Sequence, residues 1–454
     1  MKGEKEKVKD LKKVQSYLKD SKKNLLLLKR GKKPRRKLKF LIKDHLFFTI
    51  LFLVLIVGAT TIPLLIKEKT DDKIEQPEEK KVKETLTLLS TNFTDSEGIP
   101  INELGNYTES SKLIILSTLS FSMLYLAGFN ITIEQLSLQK DNILSILNDG
   151  SFVQFNNNSQ KLSIFYQFLG LYALIQLLYA TKNTEIGFSI DILFNSLNKQ
   201  LREYYNKENR LFIDKNATEA FLVDQSLALW VIAITILYFN VESIFEFYLP
   251  DIIQDVLYSL NQDYRNATTN KIVSSISNKT KEPIQLEVTS FDLLILVAAL
   301  SRVNLLYDYF FDNDLSSINL FENIINQYTD EKLIVYEKRF LNGHLLIRNQ
   351  CFFTLTSYLL HLTVTGNQSL NVVTTNYWKD NKGFIEEINA NKFSAEANYY
   401  GLITLASPEW SKGEYFYIQD NYKGNAVTSR ADVLTIFVSL VIVFIINKRR
   451  KRIK

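Results

Sequence analysis

The sequence predicts an all-α fold in which six helical hairpins close into a ring, carried between two membrane-spanning helices. Three observations predict it. Gly and Pro together number 22 of 454 residues, whereas a sandwich or barrel needs a turn signal every few residues. An apolar helical pattern recurs at intervals near 60 residues, and two uncharged apolar runs bracket the recurrences. The 46% hydrophobic content is ample for a large core and excludes disorder of the whole chain. One Cys and three scattered His exclude a disulfide framework and a structural zinc site within one chain, and no cofactor is expected.

Charge orders the chain. Residues 1–43 carry 18 basic and 4 acidic side chains, and residues 447–454 carry six basic and no acidic ones. Against an overall +5, this leaves about −15 for everything between. The run at 45–66 (HLFFTILFLVLIVGATTIPLLI) has 22 residues, about 33 Å as a helix, and spans a hydrocarbon core. The run at 433–446 (VLTIFVSLVIVFII) is shorter, 14 residues, and ends abruptly in KRRKRIK as a cytoplasmic stop does. The positive-inside rule then places tails 1–44 and 447–454 in the cytoplasm and the chain between the spans outside. Basic residues beside a span serve as an orientation signal and an attractor for anionic membrane lipid, so no nucleic-acid partner is expected. The plasma membrane is the expected location. Eight Asn-x-Ser/Thr sequons fall in the outer segment, in keeping with its abundance of Asn, Ser and Thr.

The charged stretch 67–85 (KEKTDDKIEQPEEKKVKET) reads as a solvated stalk. Beyond it, over 86–410, units begin at Glu97, Asp149, Asn209, Asn270, Glu331 and Lys382, spaced 52, 60, 61, 61 and 51 residues apart. Each has a short polar stretch, a turn, and an apolar helix. Amphipathic helices lie between them at 134–147, 185–205, 242–264, 315–328 and 370–378. A ring buries the apolar helices on nearly all sides and leaves no exposed end. Residues 411–432 read as a juxtamembrane linker. The rival is a polytopic membrane protein, since residues 113–133 and 162–181 are uncharged over spanning lengths. Ser117, Thr118, Gln167 and Gln176 interrupt those runs, and no basic loop follows them.

The unit KGFIEEINANKFSAEANYYGLITLA resembles the repeats of the α/α-toroid superfamily, which includes terpenoid cyclases and protein prenyltransferase β-subunits. The unit NRLFIDKNATEAFLVDQSLALW is equally similar to the hairpins of six-hairpin glycosidases and sugar epimerases. The likeness spans about residues 97–406 and implies an α/α toroid of six helical hairpins. No DxDD string, no prenyltransferase zinc set around Cys351 and no GCGEQ motif is present, so those activities are not implied.

Aligned on a polar residue four before a Leu, the apolar helices bring together Gln167, Gln225, Asp292 and Asn398, with Gln350 in the same place. These would form an inward polar collar able to hold a polyhydroxylated ligand, with Trp230 and Tyr399 nearby as aromatic faces. The alternative is that they satisfy orphan backbone groups at helix starts. Glycoside hydrolysis needs two carboxylates about 5–10 Å apart. Glu219, Asp224, Asp292 and Glu396 are the nominated acids, and dipole partnership at helix starts is their structural alternative. His361 and Cys351 are ten residues apart on one predicted helix and cannot touch within it, so no Cys/His nucleophile is expected. The leading expectation is a membrane-anchored surface protein whose ectodomain binds a glycan or peptide. The alternatives are a carbohydrate-active hydrolase, lyase or epimerase, and a structural envelope protein.

Overall fold

A computed structural model describes residues 77–422, apart from 103–106, 183, 187–188, 267, 270, 307–315, 389 and 391. The expected spans at 45–66 and 433–446, both basic tails and the start of the stalk lie outside the described residues.

Twelve α-helices follow one another in the described chain. They are α1 (Pro77–Asn92), α2 (Ser110–Leu126), α3 (Ile133–Ser145), α4 (Ile164–Thr181), α5 (Ile190–Tyr204) and α6 (Leu222–Phe239). The series continues with α7 (Leu249–Gln262), α8 (Ser290–Leu306), α9 (Ser317–Tyr328), α10 (Ile347–Leu359), α11 (Thr363–Val372) and α12 (Ala395–Tyr422). The even-numbered helices pack in sequence, α2 on α4, α4 on α6, α6 on α8, α8 on α10 and α10 on α12, and α12 returns to α2. That closes an inner ring. Helices α3, α5, α7, α9 and α11 each back the inner helix before them, and α1 backs α12, so the first outer helix completes the last hairpin. The protein is an α/α toroid.

Two residue patterns produce the two layers. Inner helices are apolar on every face, because each is enclosed by two inner neighbours, an outer partner and the ring interior. Helices α4 and α6 are long and apolar enough to cross a bilayer, yet 78% and 83% of their residues are buried inside the ring. The uncharged runs that supported a polytopic reading are thus ring helices here. Three of the outer helices, α3, α5 and α9, start on side-chain caps. Thr132 and Gln135 form a capping box at α3, Ser189 caps α5, and Ser316 caps α9. The charged segment expected to be stalk as far as Thr85 is helical from Pro77. It buries Val82, Thr85 and Leu89, an i, i+3, i+7 stripe too short and too diluted by Lys and Glu to stand out in the sequence.

Short antiparallel strands fill the connections. β1 (Leu147–Asn148), β2 (Ser151–Gln154) and β3 (Asn157–Lys161) precede α4, and β4 (Tyr205–Asn206), β5 (Leu211–Phe212) and β6 (Glu219–Phe221) precede α6. β7 (Ser243–Ile244) and β8 (Phe247–Tyr248) precede α7, β9 (Ser275–Ser277) and β10 (Pro283–Gln285) precede α8, and β11 (Trp378–Lys379) and β12 (Gly383–Phe384) precede α12. One three-stranded sheet, ordered β10-β9-β6, ties together the connections that lead into α6 and α8.

Residues 411–422, expected as linker, continue α12. Trp410 Nε1 donates to Gln176 Oε1 of α4 at 2.9 Å, the Tyr238 hydroxyl of α6 donates to Glu414 Oε1 at 3.1 Å, and Arg302 of α8 pairs with Glu414 at 2.7 Å. Since α4, α6 and α8 are not ring neighbours of α12, its C-terminal half crosses the ring and covers the C-terminal end of the inner helices. The opposite end, where the inner helices start, carries the acidic side chains.

Candidate functional site

The aligned amides all serve the backbone. Phe152 N–H donates to Gln167 Oε1 at 2.8 Å, and Gln167 Nε2 donates back to the Phe152 carbonyl at 2.7 Å. Gln225 repeats this on Phe212 with two contacts of 2.7 Å. Gln350 accepts from Val335 N–H at 2.9 Å and donates to the Leu333 carbonyl and the Ser369 hydroxyl. Asn398 accepts from Phe384 N–H at 3.0 Å. Each amide thus clamps the strand or turn that enters its own inner helix and stands in for a missing ladder partner. The expected inward collar at Gln167, Gln225, Gln350 and Asn398 is corrected accordingly: all four are buried and face outward toward the connections. Trp230 and Tyr399 are also fully enclosed, Trp230 against the Tyr172 ring at 4.9 Å.

Two glycines share the clamp register. Gly170 and Gly401 each lie three residues after their amide. A β-carbon at Gly170 would stand 2.5 Å from the Phe152 ring, and one at Gly401 would stand 2.2 Å from the Phe384 ring. The clamped phenylalanine therefore presses its ring on the helix backbone one turn along.

The nominated acids separate into a group and an outlier. Glu219 lies in β6, where Gln285 donates to it at 3.4 Å, and it is not among the groups that perturb the other three. Asp224, in the first turn of α6, has its carboxyl raised to about 7, by burial first and then by the negative charge of Asp292. Asp292, in the first turn of α8, is also raised by burial. Opposing that, Thr289 N–H and the Ser274 hydroxyl donate to Asp292 Oδ2 at 3.2 and 3.1 Å and favour the carboxylate. Glu396, in the first turn of α12, is raised by burial and held down by Arg348. Arg348 also acts on Asp292, so its charge reaches both Asp292 and Glu396.

Aromatic rings cross the same end. Phe165 lies 5.8 Å from Phe291, Phe291 5.2 Å from Phe352, and Phe352 6.3 Å from Tyr400, centroid to centroid. The Arg348 guanidinium rests over the Phe291 ring at 4.5 Å and Lys112 over the Tyr166 ring at 5.3 Å. Beside them opens a cavity of about 630 Å³, lined among others by Glu109, Arg348, Glu386, Glu396 and Tyr400. Three helix starts, those of α2, α10 and α12, converge on it. Sequence reasoning missed Arg348. Its one signal is position, two residues before a clamping amide. Cys351 is buried with its thiol pushed up to about 12, as expected of a core cysteine. Among the described residues no cluster of His, Cys, Asp and Glu could hold a metal ion.

No family model matches the chain, and no curated protein matches it in sequence. Solved structures do match. A GH76 α-mannanase from Bacteroides thetaiotaomicron aligns over 77% of this chain and 98% of its own, at 9% identity and a TM-score of 0.56. A D-mannose isomerase aligns over 76% and 97%, at 9% identity and a TM-score of 0.54. The cellobiose 2-epimerase of Bacillus thermoamylovorans aligns over 72% and 98%, at 12% identity and a TM-score of 0.52. At such identities the likeness is one of fold, the glycosidase-like six-hairpin toroid.

Proposed function

We propose that the chain is a carbohydrate-active enzyme of hydrolase type, working at the inner-helix N-terminal end of the toroid. One observation carries the reading: Asp224 and Asp292 are neighbouring carboxyls, both raised by burial, and the charge of Asp292 lifts Asp224 further while hydrogen bonds oppose the rise at Asp292. Asp224 is raised to about 7 although the Phe165 backbone favours its charged form, whereas more hydrogen bonds, from Thr289 and Ser274, oppose the rise at Asp292 and make it the readier carboxylate of the two. In glycoside hydrolysis Asp224 gives its proton to the departing glycosidic oxygen. Asp292 draws a proton from the attacking water as the C1–oxygen bond breaks and the new one forms. The mannanase, isomerase and epimerase neighbours support a sugar substrate at this end of the toroid by analogy of fold.

A second reading is ligand binding without turnover, favoured by the aromatic chain from Phe165 to Tyr400, which fills the ring interior where a deep active-site cleft would run. Incubation with a panel of polysaccharides separates the two. The enzyme reading expects new reducing ends from at least one glycan, lost about 100-fold or more in both Asp224→Asn and Asp292→Asn. Binding without release, unchanged in both variants, supports the second reading and defeats the first.

The reading includes placement: spans at 45–66 and 433–446 hold the toroid outside the plasma membrane against lipid. Its support is the charge segregation of the sequence. Protease added to intact cells should digest the toroid and spare both basic ends. Protection of residues 113–181 would contradict it.

A further inference from the structure

The cavity's charges do not cancel, and the remainder points to a chemical class of ligand. Of the two cations that line it, Lys392 is paired with Glu386 at 2.8 Å. The lining carboxylate Glu109 accepts from Asn102 Nδ2 at 2.7 Å. Arg348 takes part in no ion pair among the described residues, and its Nε is buried without an acceptor. Stacking on Phe291 fixes the guanidinium plane and leaves the in-plane N–H groups as its remaining donors. Of the acids nearest in field, Asp292 is engaged by the Thr289 N–H and the Ser274 hydroxyl, and Glu396 forms no ion pair with Arg348 among the described residues. Lys112, over Tyr166 and in no ion pair among the described residues, adds to the positive field at Glu396.

We propose that Arg348 anchors an oxyanion carried by the sugar, so that the cavity takes an acidic sugar bearing a carboxylate or a phosphate. A planar guanidinium with two free N–H groups matches either oxyanion in a forked contact, and a sugar hydroxyl cannot use that fork fully. The inference rests on the carbohydrate reading and narrows it.

The test uses the full chain at 0.15 M salt and matched pairs that differ only at one carbon: glucuronate against glucose, galacturonate against galactose, and glucose 6-phosphate against glucose. Affinity is read by saturation-transfer NMR titration. At least one acidic member should bind about tenfold more tightly than its neutral partner, and which pair does so tells carboxylate from phosphate. Arg348→Met should bring that pair to within twofold of each other. Arg348→Lys, which keeps the charge but loses the fork, should retain only part of the preference, and Lys412→Met, an exposed change in the half of α12 that covers the opposite end, should retain all of it. Neutral sugars binding as well as acidic ones would overturn the inference while leaving the carbohydrate reading intact. Binding by no sugar in the panel would defeat both. A preference that survives Arg348→Met in folded protein, or is lost equally in Lys412→Met, would remove Arg348 as the anchor.

Discussion

Arg302 of α8 and Glu414 of α12 form an ion pair of 2.7 Å whose side chains are 4% and 0% exposed. Glu414 also accepts from the Tyr238 hydroxyl, so a single carboxylate joins three inner helices beneath the ring. Breaking a buried pair by removing one partner leaves the other charge stranded. Glu414→Ala should therefore cost about 3–5 kcal/mol in urea denaturation. The paired replacement Arg302→Met with Glu414→Leu should cost much less than the two single changes added together. Equal and additive small losses would show that the pair does not pin the crossing helix.

The amide clamps make a different prediction. Gln225→Leu keeps the side-chain volume but leaves the Phe212 N–H and carbonyl unpaired in the core, at a cost of about 2–4 kcal/mol. Sugar affinity of the folded variant should stay within twofold of the parent. Loss of affinity with unchanged stability would restore Gln225 to a ligand-binding role.

Gly170 sits mid-helix, where Ala is ordinarily favoured by about 1 kcal/mol. Here the added carbon meets the Phe152 ring, so Gly170→Ala should instead lower stability by about 1–3 kcal/mol. Pairing it with Phe152→Leu should recover part of the loss, as read from the urea midpoint. A stabilised Gly170→Ala would mean that the phenylalanine does not press on the helix there.

Asp224 gives a pH signature. Its folded-state proton affinity is raised, so its contribution to stability is complete below the ordinary value of 3.8 and is lost as pH rises through about 7. Asp224→Asn, which stays neutral, removes that loss. The variant should gain on the parent between pH 4 and pH 8, by an amount bounded at about 4 kcal/mol, and the gap should flatten above pH 8. A constant difference across that range would place Asp224 in water as an ordinary carboxylate.

The ring was legible because its signal is carried by many residues at once. Six apolar helices at near-60-residue spacing, the first five each followed by an outer one, leave few other ways to bury so much surface. The register of Gln167, Gln225, Gln350 and Asn398 was also legible, but not its direction. A helix that is apolar all round has no polar face to mark which side looks to the axis, so outward clamps and an inward collar read alike in sequence. Asp224, Asp292 and Glu396 were found by their place at helix starts, whereas Glu219 shared that cue and lies in a strand. Arg348, Arg302 and Glu414 were missed because their importance comes from partners on other helices, and Glu414 lies 112 residues from Arg302.

On the proposed function, sugar chemistry takes place where α6, α8, α10 and α12 begin. The most direct measurement is a crystal structure of the Asp224→Asn variant soaked with an oligosaccharide that the parent cleaves. The account predicts a sugar in the cavity, against Arg348 and Glu396, with its glycosidic oxygen facing position 224 and Asp292 near the anomeric carbon. A sugar bound on the outer helices, or an empty cavity with the Phe165–Phe291 contact undisturbed and the oligosaccharide elsewhere, would contradict it.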